Sequence, residues 1–428
     1  MPSNRAAAAR AERFLAITAV AGLVVFAFAF TPGLEMFRTA KEAVFRAQAL
    51  LMAFGVAAAV AFGGTERLRA MLRDRAVVII LAGVLLWSAI STAASGNRMV
   101  SFEAFATIVC SLLLFTAVWY IAPRFPMAAL LVLVATALVN VSLATLQEYG
   151  IWNPFEFSQQ QLLPAHLTAT ALIGNPNDVG GYLALCTVVL FAASRSLAGR
   201  LRALALFGGV IALAGVLVSQ TRTAILALAI TAVFIALRRS RKLALGVAAV
   251  LLVTLIVAWF VNLGVVSRLA HLPEYVAEGH WNVVLSDRLP AFTAAAAMFA
   301  DHPLLGVGPG AYKFFYLSYR IRLVQTYPES IMGSAGVNFA EVHNDHLQLL
   351  AETGLPGYAL FVAACVVVAM RARRSEDANE QARLAARLAL PLVITVAMMA
   401  LAFFPLQIAS TRHLLITVAA LIAGWSRT

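Results

Sequence analysis

Apolar runs of roughly 17 to 22 residues recur along the whole chain, split by short basic or turn-forming segments. A run of that length crosses roughly 30 Å of hydrocarbon at about 1.5 Å per residue, and inside lipid only a helix or a closed barrel satisfies its own backbone. The pattern predicts spans near 14–30, 43–63, 76–94, 104–122, 127–147, 175–193, 204–220, 223–237, 243–262, 346–370, 387–405 and 412–426, with no strand among them. Twelve crossings return both termini to one side. Two polar interruptions are long. Residues 148–174 carry "EYGIWNPFEFSQQQLLPAH", and residues 263–345 exceed what a connector needs. In the second, a Ser or Asp cap before "RLPAFTAAAAMFAD" predicts a helix that stops near Asp301 and Pro303. Leu289, Phe292, Ala296 and Phe299 recur on it at helical spacing, so it is expected to lie amphipathically at the outer interface. Tyr312, Phe314, Phe315, Tyr316 and Tyr319 follow, as headgroup anchors or as a surface for sugar stacking.

Composition agrees. Of 428 residues 62% are hydrophobic and 12% charged, without internal repeat or low-complexity tract, which makes residues 1–428 one all-α polytopic membrane domain holding the 263–345 loop. The formal charge is +12, and 21 of the 32 Lys and Arg fall in the loops on the side of the termini, which the positive-inside rule makes cytoplasmic. Because these residues flank spans and do not pave a soluble surface, the high pI does not point to nucleic acid. The first apolar segment lacks a small-x-small cleavage pattern and is expected to stay as a helix. Cys110, Cys186 and Cys365 lie inside predicted spans, so no disulfide or cysteine metal site is expected in the exported loops.

Against this apolar background a few polar residues stand out. Arg222, in "VSQTRTAILAL", sits in the turn between two spans on the face away from the basic loops. It is a functional candidate, a phosphate ligand by its planar fork, or an end-of-helix arginine that snorkels. Arg288 opens the loop helix at the end where a cation opposes the helix dipole. Either an anion shared with Arg222 or a local pair with Asp287 or Glu278 should compensate it, and Lys313 is a weaker candidate of the same kind. "GVGPG", 306–310, follows no strand, which rules against a nucleotide loop and leaves a tight turn or a nest of amides for phosphate. "GNPND", 174–178, reads as a turn and helix start from which Asn177 or Asp178 can reach a sugar hydroxyl. In "AEVHNDHLQLLAETGLPG", a helix beginning near His343 would put His343, His346, Leu347 and Leu350 on one face. His343 suits a general base, a structural histidine, or a metal ligand with His346 and Glu341. Glu352 lies two turns further in. Gly354, Pro356 and Gly357 should kink the helix there.

These residues resemble the O-antigen ligase and polymerase superfamily of bacterial surface-polysaccharide enzymes. The likeness rests on Arg222 with Leu226, on "DRLPAF" followed by "HPLLGVGPG", and on "HN" at 343–344 nine residues before "GLPG" at 354–357. The resemblance implies glycan transfer from an undecaprenyl-diphosphate donor to a hydroxyl on the periplasmic face of the inner membrane, with no cofactor and no metal. Arg222 and Arg288 would hold the diphosphate and His343 would activate the acceptor, with Asn344, His346, Glu352, Lys313 and Asp178 as supporting candidates. Inverting attack fits these parts, while Glu341, Asp345 and Glu352 keep a covalent route open. The motifs favour a ligase acting on lipid A-core over a polymerase acting on the polyprenyl carrier. A transporter of lipid-linked sugars is the rival of another class, expected to place its ionisable residues near mid-membrane.

Overall fold

The computed structural model describes residues 2–31, 36–155, 169–260, 272–326, 338–375 and 377–426, and the expectations for 156–168, 263–271 and 327–337 lie outside them. All twelve predicted spans fall on helices: α1 (Pro2–Phe28), α2 (Arg38–Ala61), α4 (Arg75–Ala94), α5 (Arg98–Ile121), α6 (Val132–Glu148), α7 (Pro176–Ser194), α8 (Gly199–Val218), α9 (Arg222–Arg239), α10 (Arg241–Phe260), α15 (Asp345–Arg374), α16 (Glu380–Met399) and α17 (Ala409–Trp425). A short α3 (Thr65–Leu72) joins α2 to α4. Among the described residues nine helices are long and apolar enough to cross a membrane; α9, α10 and α17 complete the twelve. The protein is an all-α, multi-pass membrane protein, and no strand occurs among the described residues.

Helix α7, apolar over most of its length, is buried on nearly all sides, as expected of a helix at the centre of a bundle. Gly180 and Gly181 let Thr221 and Phe403 approach its first turns closely. At the end rich in arginine, Trp425 donates to the carbonyl of Ala122 (2.8 Å) and Ser375 to that of Ser426 (2.7 Å). At the opposite end three helix starts are capped by asparagine, Asn97, Asn175 and Asn344, while Asn379 caps α16 at the arginine-rich end.

The loop between α10 and α15 folds over the asparagine-capped end as α11 (Leu272–Ala277), α12 (Trp281–Val284), α13 (Leu289–Asp301) and α14 (Tyr312–Thr326). Helix α13 stops where expected but differs in two respects. Its N-cap is Arg288, without a side-chain cap bond, and its buried face is Ala291, Ala294, Ala295 and Met298, while Ala296 is exposed. The small residues face inward because α13 packs onto α15, which the larger Phe292 and Phe299 would hold at a distance. The tyrosines are corrected too. Tyr312, Tyr316 and Tyr319 join Met298, Val342 and Ala351 in a second apolar core, and Phe314 stays exposed.

Helix α15 breaks at Gly354, whose φ of 67° and ψ of −175° leave the helical region. The Leu355 amide turns to the carbonyl of Pro303 (2.8 Å), and a Cβ on Gly354 would collide with the carbonyl of Leu304. The expected kink is therefore a docking point for the loop. Trp87 and Ser91 of α4 fasten the same junction, donating to the carbonyls of Thr353 (2.8 Å) and Leu305 (2.7 Å).

Candidate functional site

Arg222 is the first residue of α9, reached through Gln220, which has a left-handed φ of 51°. Its guanidinium donates to Ser286 Oγ at 3.0 Å. Ser286 and Asp287 both have positive φ (55° and 60°), so a strained turn carries the chain from α12 to Arg288 and aims the two arginines at one place. Arg288 donates to the carbonyl of Ala402 in the α16–α17 connection. The local acids that sequence offered it are engaged elsewhere: Asp287 accepts from Asn282 (2.8 Å) and Glu278 pairs with His280 (3.2 Å). Burial, and then the charge of Arg222, lower the pKa of Arg288. Two guanidiniums that act on each other in this way form a like-charge pair that an anion relieves.

His343 does not belong to α15. It precedes the cap, with a left-handed φ of 60°, while Asn344 is the N-cap and α15 begins at Asp345. The expected shared face with His346 therefore does not form. The imidazole meets Phe404 edge to face at 4.6 Å between centroids and Phe339 at 5.9 Å. Its Nδ1 is buried with no hydrogen-bond partner among the described residues. Burial, followed by the charges of Arg288 and Arg38, lowers its pKa to about 3, so the ring is neutral at working pH.

The supporting candidates divide. Asn344 is structural: its Oδ1 accepts from the Leu347 amide (3.0 Å) and its Nδ2 donates to the carbonyl of Leu401 (2.9 Å), tying α15 to the end of α16. His346 also has both nitrogens engaged, one with the carbonyl of Ala397 and one with the Tyr358 hydroxyl, each at 3.1 Å. Glu352 settles the reading of "GVGPG". Its carboxylate accepts from the amides of Gly310 (2.9 Å) and Tyr312 (3.4 Å), and its carbonyl from Gly308 (2.9 Å). The loop is a tight turn whose amides close on a carboxylate of the chain itself, not on phosphate. Lys313 and the buried Asp178 line a cavity that Arg222 does not line.

That cavity, of about 1260 Å³, runs between α15 on one side and α2, α4, α5 and α17 on the other. Its polar mouth brings together residues that sequence reasoning passed over. Arg38 pairs with Glu341 (3.4 Å), and Gln348 donates to both Glu341 (3.1 Å) and Glu352 (3.2 Å) while accepting from the Val342 amide (3.1 Å). Burial raises the pKa of Glu341 against the opposing bond from Gln348. Lys41 is buried and donates to the carbonyls of Ala29 (2.5 Å) and Leu172 (2.7 Å). Arg412 holds Glu42. The Arg38 guanidinium lies over Phe404 at 5.6 Å, so one ring touches both the cavity mouth and His343. The signal available in sequence was that Arg38, Lys41 and Arg46, like Arg222, are cations on the face that the positive-inside rule does not explain.

Residues 207–362 match the protein family described as O-antigen ligase. No curated protein matches the chain. The matched segment contains Arg222, Arg288 and His343 and supports activity of the O-antigen ligase or polymerase class, in a setting of lipid-linked glycan and membrane lipid. It ends inside α15, so the Arg38 and Arg412 sides of the cavity come from helices outside the ligase-family segment. Among the described residues no three His, Cys, Asp or Glu side chains gather as a metal cluster.

Proposed function

We propose that this protein transfers a glycan from undecaprenyl diphosphate to a hydroxyl of lipid A-core, at the periplasmic face of the bacterial inner membrane. The observation that carries this reading is that Arg288, neighboured by Arg222, reaches the Ala402 carbonyl two residues before Phe404, the ring against which the half-buried His343 packs. Diphosphate is a good leaving group once its charge is absorbed, so the chemistry needs cations at the phosphates and a base at the incoming hydroxyl. The acceptor oxygen forms the new bond to the anomeric carbon as the carbon–oxygen bond to the diphosphate breaks. The electron pair leaves with the diphosphate, onto Arg222 and Arg288, and the hydroxyl proton passes to the imidazole of His343.

One-step inversion suits the carboxylates better than a covalent route. Glu352 is enclosed by amides and Gln348, and Glu341 is held by Arg38 and Gln348. Burial, and then the charges of Arg288 and Arg38, hold the pKa of His343 down to about 3. A bound diphosphate offsets the charge of Arg288 and makes the imidazole more basic when the donor is in place. The ionisable residues of the site and cavity mouth, among them Arg38, Asp178, Arg222 and Arg412, stand in the first turns of their helices at one end of the bundle. That one-sided placement favours an enzyme over a carrier with a mid-membrane path.

The test is purified protein in liposomes with an undecaprenyl-diphosphate oligosaccharide and lipid A-core. Glycan on lipid A-core, absent with His343→Ala, is the expected result. Glycan that lengthens on the polyprenyl carrier would instead make the protein a polymerase, and no product on either lipid would overturn glycosyl transfer.

A further inference from the structure

The cavity beside His343 differs in chemistry from the arginine pair, and the difference assigns it an occupant. Arg222 and Arg288 do not line it. Five basic and five acidic side chains do, gathered toward its mouth, where Arg38, Glu341 and Gln348 present donors and acceptors side by side. Such a balanced surface suits sugar hydroxyls, which both donate and accept, and suits a diphosphate poorly. Below the mouth the wall is apolar. Along α15 the lining runs from His346 to Met370, roughly 36 Å at about 1.5 Å per residue, comparable with the hydrocarbon core. Val362, Val366 and Met370 are exposed on that wall.

We propose that this cavity seats the acceptor: a saccharide carried on a lipid, with its sugars at the Arg38–Glu341–Gln348 rim and its lipid chains against the apolar part of α15. The proposal rests on the glycosyl-transfer reading above. In-line displacement requires the attacking oxygen and the leaving diphosphate on opposite faces of the sugar carbon. Arg288, at the start of α13, reaches the Ala402 carbonyl, and Arg38, at the start of α2, lies over Phe404, so both approach the 402–404 segment against which His343 packs. Phe404, which does not line the cavity, meets Arg38 at its rim and His343 beyond it, and so marks the side of the rim on which the acceptor hydroxyl would reach the base.

Ala364→Trp and Ala369→Trp, each filling the apolar part of the cavity, test this by binding and not by turnover. Two probes are titrated by native mass spectrometry: lipid A-core, and undecaprenyl diphosphate without glycan. The expected result is a loss of about tenfold or more in lipid A-core affinity for each variant, equivalent to roughly 1.4 kcal/mol, with undecaprenyl diphosphate changed by less than about twofold. Arg38→Gln and Glu341→Gln should show the same selectivity, and retained diphosphate binding reports that each variant is folded. Loss of both probes together would assign the cavity to the polyprenyl chain and overturn the proposal, as would no change in either. Because no transfer is read, a wild type that binds both lipids selectively but forms no product would sink the enzymatic reading alone.

Discussion

Two groups of arginines, one at each end of the bundle, differ in the partners they meet. At the arginine-rich end they are answered by carboxylates: Glu12, 8% exposed, takes Arg67 at 2.9 Å together with Arg124, and Asp74 takes Arg371. At the other end Arg38 and Arg412 also meet carboxylates, Glu341 and Glu42, whereas Arg222 donates to a serine hydroxyl and Arg288 to a backbone carbonyl, which orients its guanidinium without neutralising it. The first set fastens helices. Arg288 keeps its charge beside that of Arg222, an arrangement that an anion relieves.

The largest effect should come from His343→Ala, which is expected to lower turnover by about 10²–10⁴-fold in the reconstituted assay while the helical content is unchanged. Arg222→Ala and Arg288→Ala should each lower kcat/KM by roughly 10²-fold or more, and do so through weaker donor binding, read as a raised KM for the polyprenyl donor. Glu12→Gln supplies the contrast. It should cost roughly 1–3 kcal/mol of stability in thermal unfolding, a range between exposed and buried pairs, while transfer per folded molecule stays the same. If Glu12→Gln reduced transfer as strongly as Arg288→Ala, the distinction between fastening and ligand-holding arginines would fail.

A smaller effect concerns pH. The folded pKa of His343, about 3, lies below its ordinary 6.5, so in that window the unfolded chain binds a proton that the folded chain refuses. Its contribution to stability is therefore constant above about pH 6.5 and is lost as pH falls toward 3, and His343→Gln should flatten that part of a curve of Tm against pH. In kinetics the acid limb of kcat/KM, which reports the free enzyme, should lie well below pH 6.5, and the limb of kcat should lie at higher pH because the donor's charge is then present. Coincident limbs would mean that no anion sits beside the imidazole.

The spans were legible in sequence because length and hydropathy alone decide them in lipid. Arg222 and His343 were legible because a polar residue in an apolar chain is conspicuous. The partners were not. Arg38 meets Glu341 across 303 positions of sequence, and Phe404 joins them from a third element, a juxtaposition that no local pattern encodes. The cap of α15 misled by only two residues, but the left-handed φ of His343 was enough to remove it from the helix face it was expected to share with His346. Helix α13 buried its alanines and not its phenylalanines, because close approach to α15 rewards small side chains, a preference that apolar spacing does not express. Of the two readings left open for "GVGPG", the turn is the one that forms, and the carboxylate that fills it, Glu352, lies 42 residues beyond Gly310.

The most direct test of the account is equilibrium binding of undecaprenyl diphosphate to wild type, Arg288→Ala and His343→Ala in detergent or nanodiscs. The account predicts that Arg288→Ala binds about tenfold or more weakly and that His343→Ala binds within about twofold of wild type, since the cations hold the diphosphate and the imidazole meets only the acceptor. Equal binding by wild type and Arg288→Ala would contradict it, because the like-charge pair would then hold no anion.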